Sequence, residues 1–175
     1  MATEKITLAN GQKILTLKEL LRPGLRAVFV GLNPSQVSVS LGHYWQGRHG
    51  IRRWALLREF GVTPPLPPGA EDDAAFDLGF GFCDLVRRPS RTSKELNNEE
   101  LQAAAVDLLF RLSVTGDHPL IVFTYMKARK CAERHVSESG YRIHQMPGPY
   151  APSKKVHAMM EQLQKLLSSD LPTSE

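Results

Sequence analysis

Short apolar runs alternate along this chain with segments whose apolar residues recur at helical spacing. Four runs predict strands, over residues 26–32, 76–86, 119–124 and 141–146. The first and third are rich in β-branched residues and show no polar alternation, which is typical of strands covered on both faces. The stretch 76–86 contains Gly79 and Gly81, and the fourth run follows Gly140.

Five segments predict helices, over residues 15–21, 51–60, 98–112, 125–136 and 153–167. In the third, Leu101, Ala105, Leu108 and Leu112 repeat at the spacing of one helix face. We expect Asn98 and Ser153 to be the N-caps of the third and fifth helices. Strands alternating with helices predict an α/β fold, a three-layer α/β/α sandwich with a short, mainly parallel central sheet. In such sheets ligands bind beyond the carboxyl ends of the strands.

The length of 175 residues fits one domain with a single core. With 42% hydrophobic and 23% charged residues, the composition is that of a globular protein. We therefore predict a single domain over 1–175, with flexible ends at 1–12 and 169–175. The proline-rich stretch 63–69 is interpreted as a stiff surface loop within that domain.

Several features bear on location and cofactors. No apolar run is long enough to span a bilayer, and the N-terminus lacks the pattern of a signal peptide, so we expect a cytoplasmic protein without membrane contact, at the nucleoid if the chain is bacterial. In that compartment Cys83 and Cys131 should be reduced thiols. No spacing of cysteines and histidines suggests a zinc site, and we expect neither a metal nor another cofactor.

The formal net charge is +4, with the basic residues gathered in several groups along the chain. Groups that share one face would neutralise phosphates of a nucleic acid. Taken alone, this charge fits solvated helix faces better. The motifs must therefore decide between a nucleic-acid-binding face and ordinary solvated helix faces.

Distinctive segments follow the predicted strands. Residues 31–35 read Gly-Leu-Asn-Pro-Ser after the first strand, and residues 81–90 read Gly-Phe-Cys-Asp-Leu-Val-Arg-Arg-Pro-Ser at the second. Between them lie an aromatic loop, Gly-His-Tyr-Trp at 42–45, and Arg-Arg-Trp at 52–54. Residues 146–153 join the last strand to the last helix. Asn-Pro alone is a common turn signal, so the order of the segments carries the information.

Together these segments resemble the mismatch-specific uracil and thymine DNA glycosylases of the uracil-DNA glycosylase superfamily. Residues 31–35 correspond to that family's Gly-Ile-Asn-Pro-Gly, 52–54 to its Arg-(Phe)-Trp, and 81–90 to its Gly-x-Thr-(Asn/Lys/Asp)-Leu-Val-x-Arg-Pro-Thr. The resemblance extends from about residue 27 to residue 167. It implies a uracil-DNA glycosylase-like fold and a monofunctional hydrolase of base excision repair. The expected partner is duplex DNA with a uracil or a mismatched or damaged base, bound by a monomer.

The resemblance implies a role for each motif in cleaving the N-glycosidic bond of a flipped base. Asn33 would position the water, and Asp84 would assist as general base. For Asp84 a structural role stays open, bonded to backbone N–H groups or paired with Arg87 or Arg88. Trp45, with Tyr44 as the alternative, would stack on the base, although a core role fits Trp45 equally well. The residues expected to bind the base are Leu32, Pro34, Ser35, Gln36, Tyr44 and Trp45.

The remaining motif residues are expected at the DNA backbone and at the gap left by the flipped base. Arginines after the second strand would hold phosphates, which fixes register without reading sequence. Tyr150 or Pro152 would be the wedge that fills the gap, although a plain helix start explains this segment as well. The expected DNA-binding residues are Arg52, Arg53, Arg87, Arg88, Ser90, Arg91, Tyr150, Ala151, Pro152, Ser153 and Lys154.

Two positions depart from the family pattern. Ser35 stands where the family usually has Gly, and Gly148 falls where an Asn is expected in its last motif. Uracil is therefore the expected substrate, while thymine, hypoxanthine and ethenocytosine stay open. Two other readings remain: a different nucleotide-acting enzyme, a metal-dependent nuclease included, and a non-enzymatic module that binds lesions. The nucleotide-binding and esterase motifs of the first are missing from the sequence.

Overall fold

The computed structural model describes residues 3–8 and 10–169. Four strands form the central sheet, preceded by a two-stranded hairpin. The strands are β1 (Thr3–Thr7), β2 (Lys13–Leu17), β3 (Ala27–Gly31), β4 (Phe80–Asp84), β5 (Leu120–Phe123) and β6 (Ile143–Gln145). The helices are α1 (Gln36–Leu41), α2 (Arg48–Glu59), α3 (Glu71–Asp77), α4 (Asn98–Leu112), α5 (Met126–Glu138) and α6 (Ser153–Ser168).

The central sheet has the order β4-β3-β5-β6, and every neighbouring pair is parallel. Gly31 is paired with Asp84, and Val30 is paired with both Cys83 and Phe123. Because the strands run in one direction, the residues that follow β3, β4 and β5 emerge at the same carboxyl edge. The predicted α/β architecture with a mainly parallel sheet is confirmed.

Alternate residues of the strands enter two separate cores. Phe29, Phe82 and Val122 belong to a core with residues of α2 and α6. Val28, Val30 and Ile121 belong to the other, which contains residues of α4 and α5. Helices therefore cover both faces of the sheet, which explains the unbroken apolar strands. This arrangement is compatible with three layers. No helix within residues 3–8 and 10–169 combines the length and the apolar character that crossing a membrane requires.

The predicted helix over 15–21 is wrong. Residues 13–17 instead form β2, paired antiparallel with β1, and Leu20 makes a bridge to Phe82 at the edge of the central sheet. The β-branched residues Ile14 and Thr16 alternate with others along this strand, and the facing Ile6 pairs with Ile14. Part of the end over 1–12 that was expected to be flexible thus forms β1, and its flexibility stays a prediction. At the other end, 170–175 lie outside the described residues.

Two helices and two caps differ from the sequence predictions. Helices α1 and α3 were not predicted, because α1 is short and alternates Val with Ser in the manner of a strand. Asn97, not Asn98, is the N-cap of α4, and its side chain accepts a hydrogen bond from the N–H of Glu100 at 2.8 Å. Pro152, not Ser153, occupies the N-cap of α6. The buried stripe of α4 is confirmed by Leu101, Ala105, Leu108 and Leu112.

Candidate active site

A cavity of about 250 Å³ opens at the carboxyl edge of the sheet. It lies between the ends of β3, β4 and β5, the loop that precedes α2, and α2 itself. Seven residues of the predicted site line it, two expected to be catalytic and five expected at the base or the DNA: Asn33, Asp84, Pro34, Ser35, Tyr44, Trp45 and Arg53. The structure therefore brings both proposed catalytic residues into one cavity, although 51 positions separate them in the chain.

Hydrogen bonds fix the orientation of the Asn33 amide. Its Nδ2 donates to the carbonyl oxygen of Arg88 at 2.9 Å and to Oγ of Ser90 at 2.8 Å. A backbone carbonyl only accepts, so the amide nitrogen must face Arg88 and the amide oxygen remains as an acceptor. Oγ of Ser90 in turn donates to the carbonyl of Thr92 at 2.8 Å. An amide held in this way can accept a hydrogen bond from a water molecule without having to reorganise.

Asp84 is buried at the end of β4, where its side chain is packed against the backbone of Gly31. A Cβ atom at Gly31 would lie 2.0 Å from Oδ1 of Asp84. Burial raises the pKa of Asp84 to about 7; the charge of Glu19 acts in the same direction, and Arg111, Arg53 and Arg87 oppose it. Near neutral pH this carboxyl group can therefore accept a proton from water.

The alternative roles considered for Asp84 were pairing with Arg87 or Arg88 and hydrogen bonding to backbone N–H groups. Arg87 pairs with Glu4 at 2.6 Å, and Arg88 pairs with Glu100 through two bonds of 2.8 and 2.9 Å. Neither arginine forms an ion pair with Asp84. Within the described part of the chain, the Asp84 carboxylate also has no hydrogen bond to a backbone N–H. The contacts expected of a structural Asp84 are therefore absent among the described residues, and its role as general base stays a prediction.

An ion pair between Glu19 and Arg111, not expected from the sequence, lies close to Asp84 and contributes to its pKa. Arg111 of α4 pairs with Glu19 and donates to the backbone carbonyls of Asp84 at 2.9 Å and Leu85 at 2.8 Å. Burial raises the pKa of Glu19, while the positive charge of Arg111 opposes the shift. The sequence held no signal for this pair, since its members are 92 positions apart.

Tyr44 and Trp45 line the cavity from the aromatic loop, yet both are largely buried, at 3% and 9% exposure. Trp45 packs edge-on against Phe29 and Phe82, with ring centroids 5.1 and 5.3 Å apart. The core role considered for Trp45 is thus present in the structure, and base stacking stays a prediction. Tyr125, after β5, is a further aromatic residue in the cavity and is 39% exposed. Its position at the end of a parallel strand was the signal that could have found it.

The loop with these rings is tied to α3 by Asp72. Oδ1 of Asp72 lies 2.9 Å from Nδ1 of His43, and Oδ2 accepts from the N–H of Tyr44 at 2.7 Å. His43, Asp72 and Asp73 also form a group with metal-ligand chemistry. Because both oxygens of Asp72 are bonded to the loop, the contacts present are those of a structural anchor.

The other residues expected at the base differ in position. Leu32 is buried in the core on the α4 and α5 side and does not line the cavity. Gln36 is the exposed first residue of α1 and also lies outside the lining. Ser35 lines the cavity and caps α1, since its Oγ accepts from the N–H of Ser38 at 3.1 Å. The serine at this departure from the family pattern therefore has a structural role.

A groove of about 460 Å³ adjoins the cavity and shares His49 and Arg53 with it. Its walls are α2 and the segment 147–157, and its lining includes Arg52, Ala151 and Ser153, for which DNA binding stays a prediction. Tyr150 projects from this segment with 87% of its surface exposed. Pro152 and Lys154 are also exposed, at the start of α6.

The segment after β4 differs from the expected phosphate-binding loop. Arg87 and Arg88 are held in the ion pairs described above, and Ser90 is buried against Asn33. These three side chains therefore make contacts within the protein itself. Arg91 is exposed and, among the described residues, has no ion-pair partner, so its role at the DNA backbone stays a prediction. No protein-family model matches the chain, and the assignment of a function depends on this geometry.

Proposed function

We propose that this chain is a monofunctional DNA glycosylase with a uracil-DNA glycosylase-like, three-layer fold. It would flip uracil out of mismatched duplex DNA and hydrolyse its N-glycosidic bond. The observation that carries the proposal is the convergence of Asn33 and Asp84 in one aromatic-walled cavity at the carboxyl edge of a parallel sheet. An amide oxygen can position a water for this hydrolysis, and a carboxylate can take the proton of that water.

In the proposed reaction the bond between C1′ and the base breaks, and its electron pair leaves with the base. The water oxygen then bonds to C1′, while its proton passes to the Asp84 carboxylate. Asn33 holds the water through its amide oxygen, because its nitrogen is bonded to Arg88 and Ser90. The pKa of about 7 suits Asp84 to this transfer, since a base works best with a pKa near the working pH.

The groove beside the cavity supports DNA as the partner. Its arginine Arg52 and the segment 147–153 lie next to the entrance that a flipped nucleotide would use. Tyr150 is exposed at the tip of that segment, with a ring contact of 6.5 Å to His49. We infer that Tyr150 enters the base stack as the wedge, as exposed apolar side chains do in DNA-kinking proteins.

A strand-cleavage assay tests the proposal. The protein is incubated in chelator with an end-labelled duplex containing one G·U pair, followed by alkali, in parallel with Asn33→Ala, Asp84→Asn and, as a control at the opposite edge of the sheet, Asp117→Asn. We expect an alkali-dependent break that Asn33→Ala and Asp84→Asn reduce about 100-fold or more and the control leaves unchanged. No break on uracil, thymine, hypoxanthine or ethenocytosine would overturn the proposal. Tight mismatch binding without base release would then identify a lesion-binding module.

A further inference from the structure

Arg53 differs from the other buried or half-buried arginines of the site. It lies on α2, is 9% exposed, and lines both the cavity and the groove. Its guanidinium carbon is 4.6 Å from the ring centroid of Tyr125 and 5.7 Å from that of Trp45. Within residues 3–8 and 10–169 it has neither an ion-pair partner nor a hydrogen bond. By contrast, Arg87, Arg88 and Arg111 each pair with a carboxylate.

The guanidinium nitrogens of Arg53 are not fully buried and are open to the cavity. A cation enclosed there without an anion still has a cost, which its contacts with two rings offset only in part. All of its N–H groups are donors and none of its atoms accepts. The position therefore favours a ligand that brings acceptor oxygens into the cavity. Asp84 does not supply them, because its carboxylate is not within ion-pair distance, although the charge of Arg53 lowers the pKa of Asp84.

The depth of Arg53 distinguishes between two sources of such oxygens. A backbone phosphate stays at the protein surface, where the neighbouring Arg52 is exposed in the groove. Arg53 is nine-tenths buried and shares its cavity with Asn33 and Asp84. The oxygen that reaches this depth is one on the flipped base. A donor-only group at this position can donate hydrogen bonds to the keto oxygens of a base. It offers no acceptor to an exocyclic amino group.

We propose that Arg53 is a catalytic residue that donates hydrogen bonds to a keto oxygen of the flipped base and stabilises the negative charge arising there as the C1′–N bond breaks. From the sequence, Arg53 was expected at the DNA backbone; its place in the cavity assigns it to the base instead. It depends on the proposed glycosylase function. Fixed donors aimed at a developing anion are among the strongest contributions to catalysis.

The test compares two leaving groups in one duplex context, uracil and 5-fluorouracil. Fluorine withdraws electrons and stabilises the departing anion, so 5-fluorouracil needs less help from the protein. Release is measured in single turnover with wild type, Arg53→Met and Arg53→Lys. Arg26→Met is the matched control, because Arg26 also packs on a ring, 5.2 Å from Phe80, but precedes β3 at the opposite edge of the sheet. Binding to a duplex with an abasic site is measured alongside.

We expect Arg53→Met to slow uracil release by about 100- to 1000-fold and 5-fluorouracil release at least about 10-fold less. Arg53→Lys keeps the charge, so its rate of uracil release should lie between those of wild type and Arg53→Met. If Arg53→Met does not fold, the comparison of the two bases is made with Arg53→Lys. Abasic-duplex binding and the control should stay near wild type. Equal losses of rate for both bases, together with weaker duplex binding, would assign Arg53 to a phosphate. An unchanged rate in Arg53→Met would show that Arg53 has no catalytic role. Either result overturns the inference about Arg53 and leaves the proposed glycosylase function standing. A wild-type chain that releases neither base would overturn the proposed function itself.

Discussion

A Cβ atom on Gly31 would lie 2.0 Å from Oδ1 of Asp84, and the two residues are direct partners in the register between β3 and β4. The end of one strand thus leaves the space that the carboxylate of the next strand occupies. This contact gives a physical reason for glycine as the first residue of the motif at 31–35, since any side chain there would displace the carboxylate from its place in the cavity.

Gly31→Ala should therefore impair catalysis more than stability. We expect single-turnover base release to fall about 100-fold or more, because small displacements of a catalytic group have large effects. Gly24→Ala is the contrasting control. Gly24 has φ +74° with open space around it, so the substitution should cost about 1 kcal/mol of stability with activity retained. Wild-type activity in Gly31→Ala would show that Asp84 need not occupy its present position.

The pH dependence of base release should report the protonation of Asp84. Since the base must be ionised and its pKa is about 7, the rate should rise with pH through about 7 and then level off. Glu19→Gln removes a negative charge that raises this pKa and frees the charge of Arg111, so the rise should move to lower pH. Glu100→Gln, whose partner is Arg88, should leave it in place. A rise that persists unchanged in Asp84→Asn would mean that another group titrates.

The strands and most of the helices followed from the sequence, because their periodicity reports burial directly. The first 21 residues did not. The segment 15–21 is rich in leucine, and its pairing with residues 3–7 is a tertiary contact that overrides local preference. The membership of Asn33 and Asp84 in one site was predictable, because both follow parallel strands.

The electrostatics of the site could not be predicted from the sequence. Glu19 and Arg111 approach Asp84 from distant parts of the chain, and nothing in their local context marks them. The arginines after β4 illustrate the converse. Arg87 and Arg88 have the local pattern of a phosphate-binding loop, yet Glu4 and Glu100 neutralise them. The sequence pattern thus shows where arginines cluster, but it does not show which of them are paired with carboxylates and which are free to bind a ligand.

Asp84 should also lower the stability of the fold at neutral pH. Its pKa is raised from 3.8 to about 7, so the folded state binds a proton more tightly than the unfolded state does. That stabilisation is fully present below the unfolded pKa and is lost as pH rises through about 7. Asp84→Asn removes this pH dependence, so its effect on the free energy of unfolding should be more favourable at pH 8 than at pH 4, by up to about 4 kcal/mol. Denaturant unfolding at the two pH values measures this difference, and equal effects at both would contradict the shift.

The loop that brings Tyr44 and Trp45 to the cavity should depend on Asp72. This side chain is fully buried, and its two oxygens bond His43 and the N–H of Tyr44. In Asp72→Asn only one oxygen remains as an acceptor, so either the Tyr44 N–H loses its acceptor or His43 Nδ1 must accept from the new amide nitrogen. We expect a loss of about 1–3 kcal/mol in unfolding free energy, together with slower base release, because the rings lose their anchor.

Asp73→Asn is the matched control for this loop, since Asp73 is the next residue of α3, has an exposed side chain and lies 3.6 Å from the same His43 nitrogen. It removes the same charge without breaking the bond to Tyr44. We expect a change below about 0.5 kcal/mol, as for other exposed pairs. If the two variants lost equal stability, the effect would come from the loss of a negative charge beside His43. If only Asp72→Asn lost it, the backbone bond to the aromatic loop would be the contact that holds the cavity wall in place.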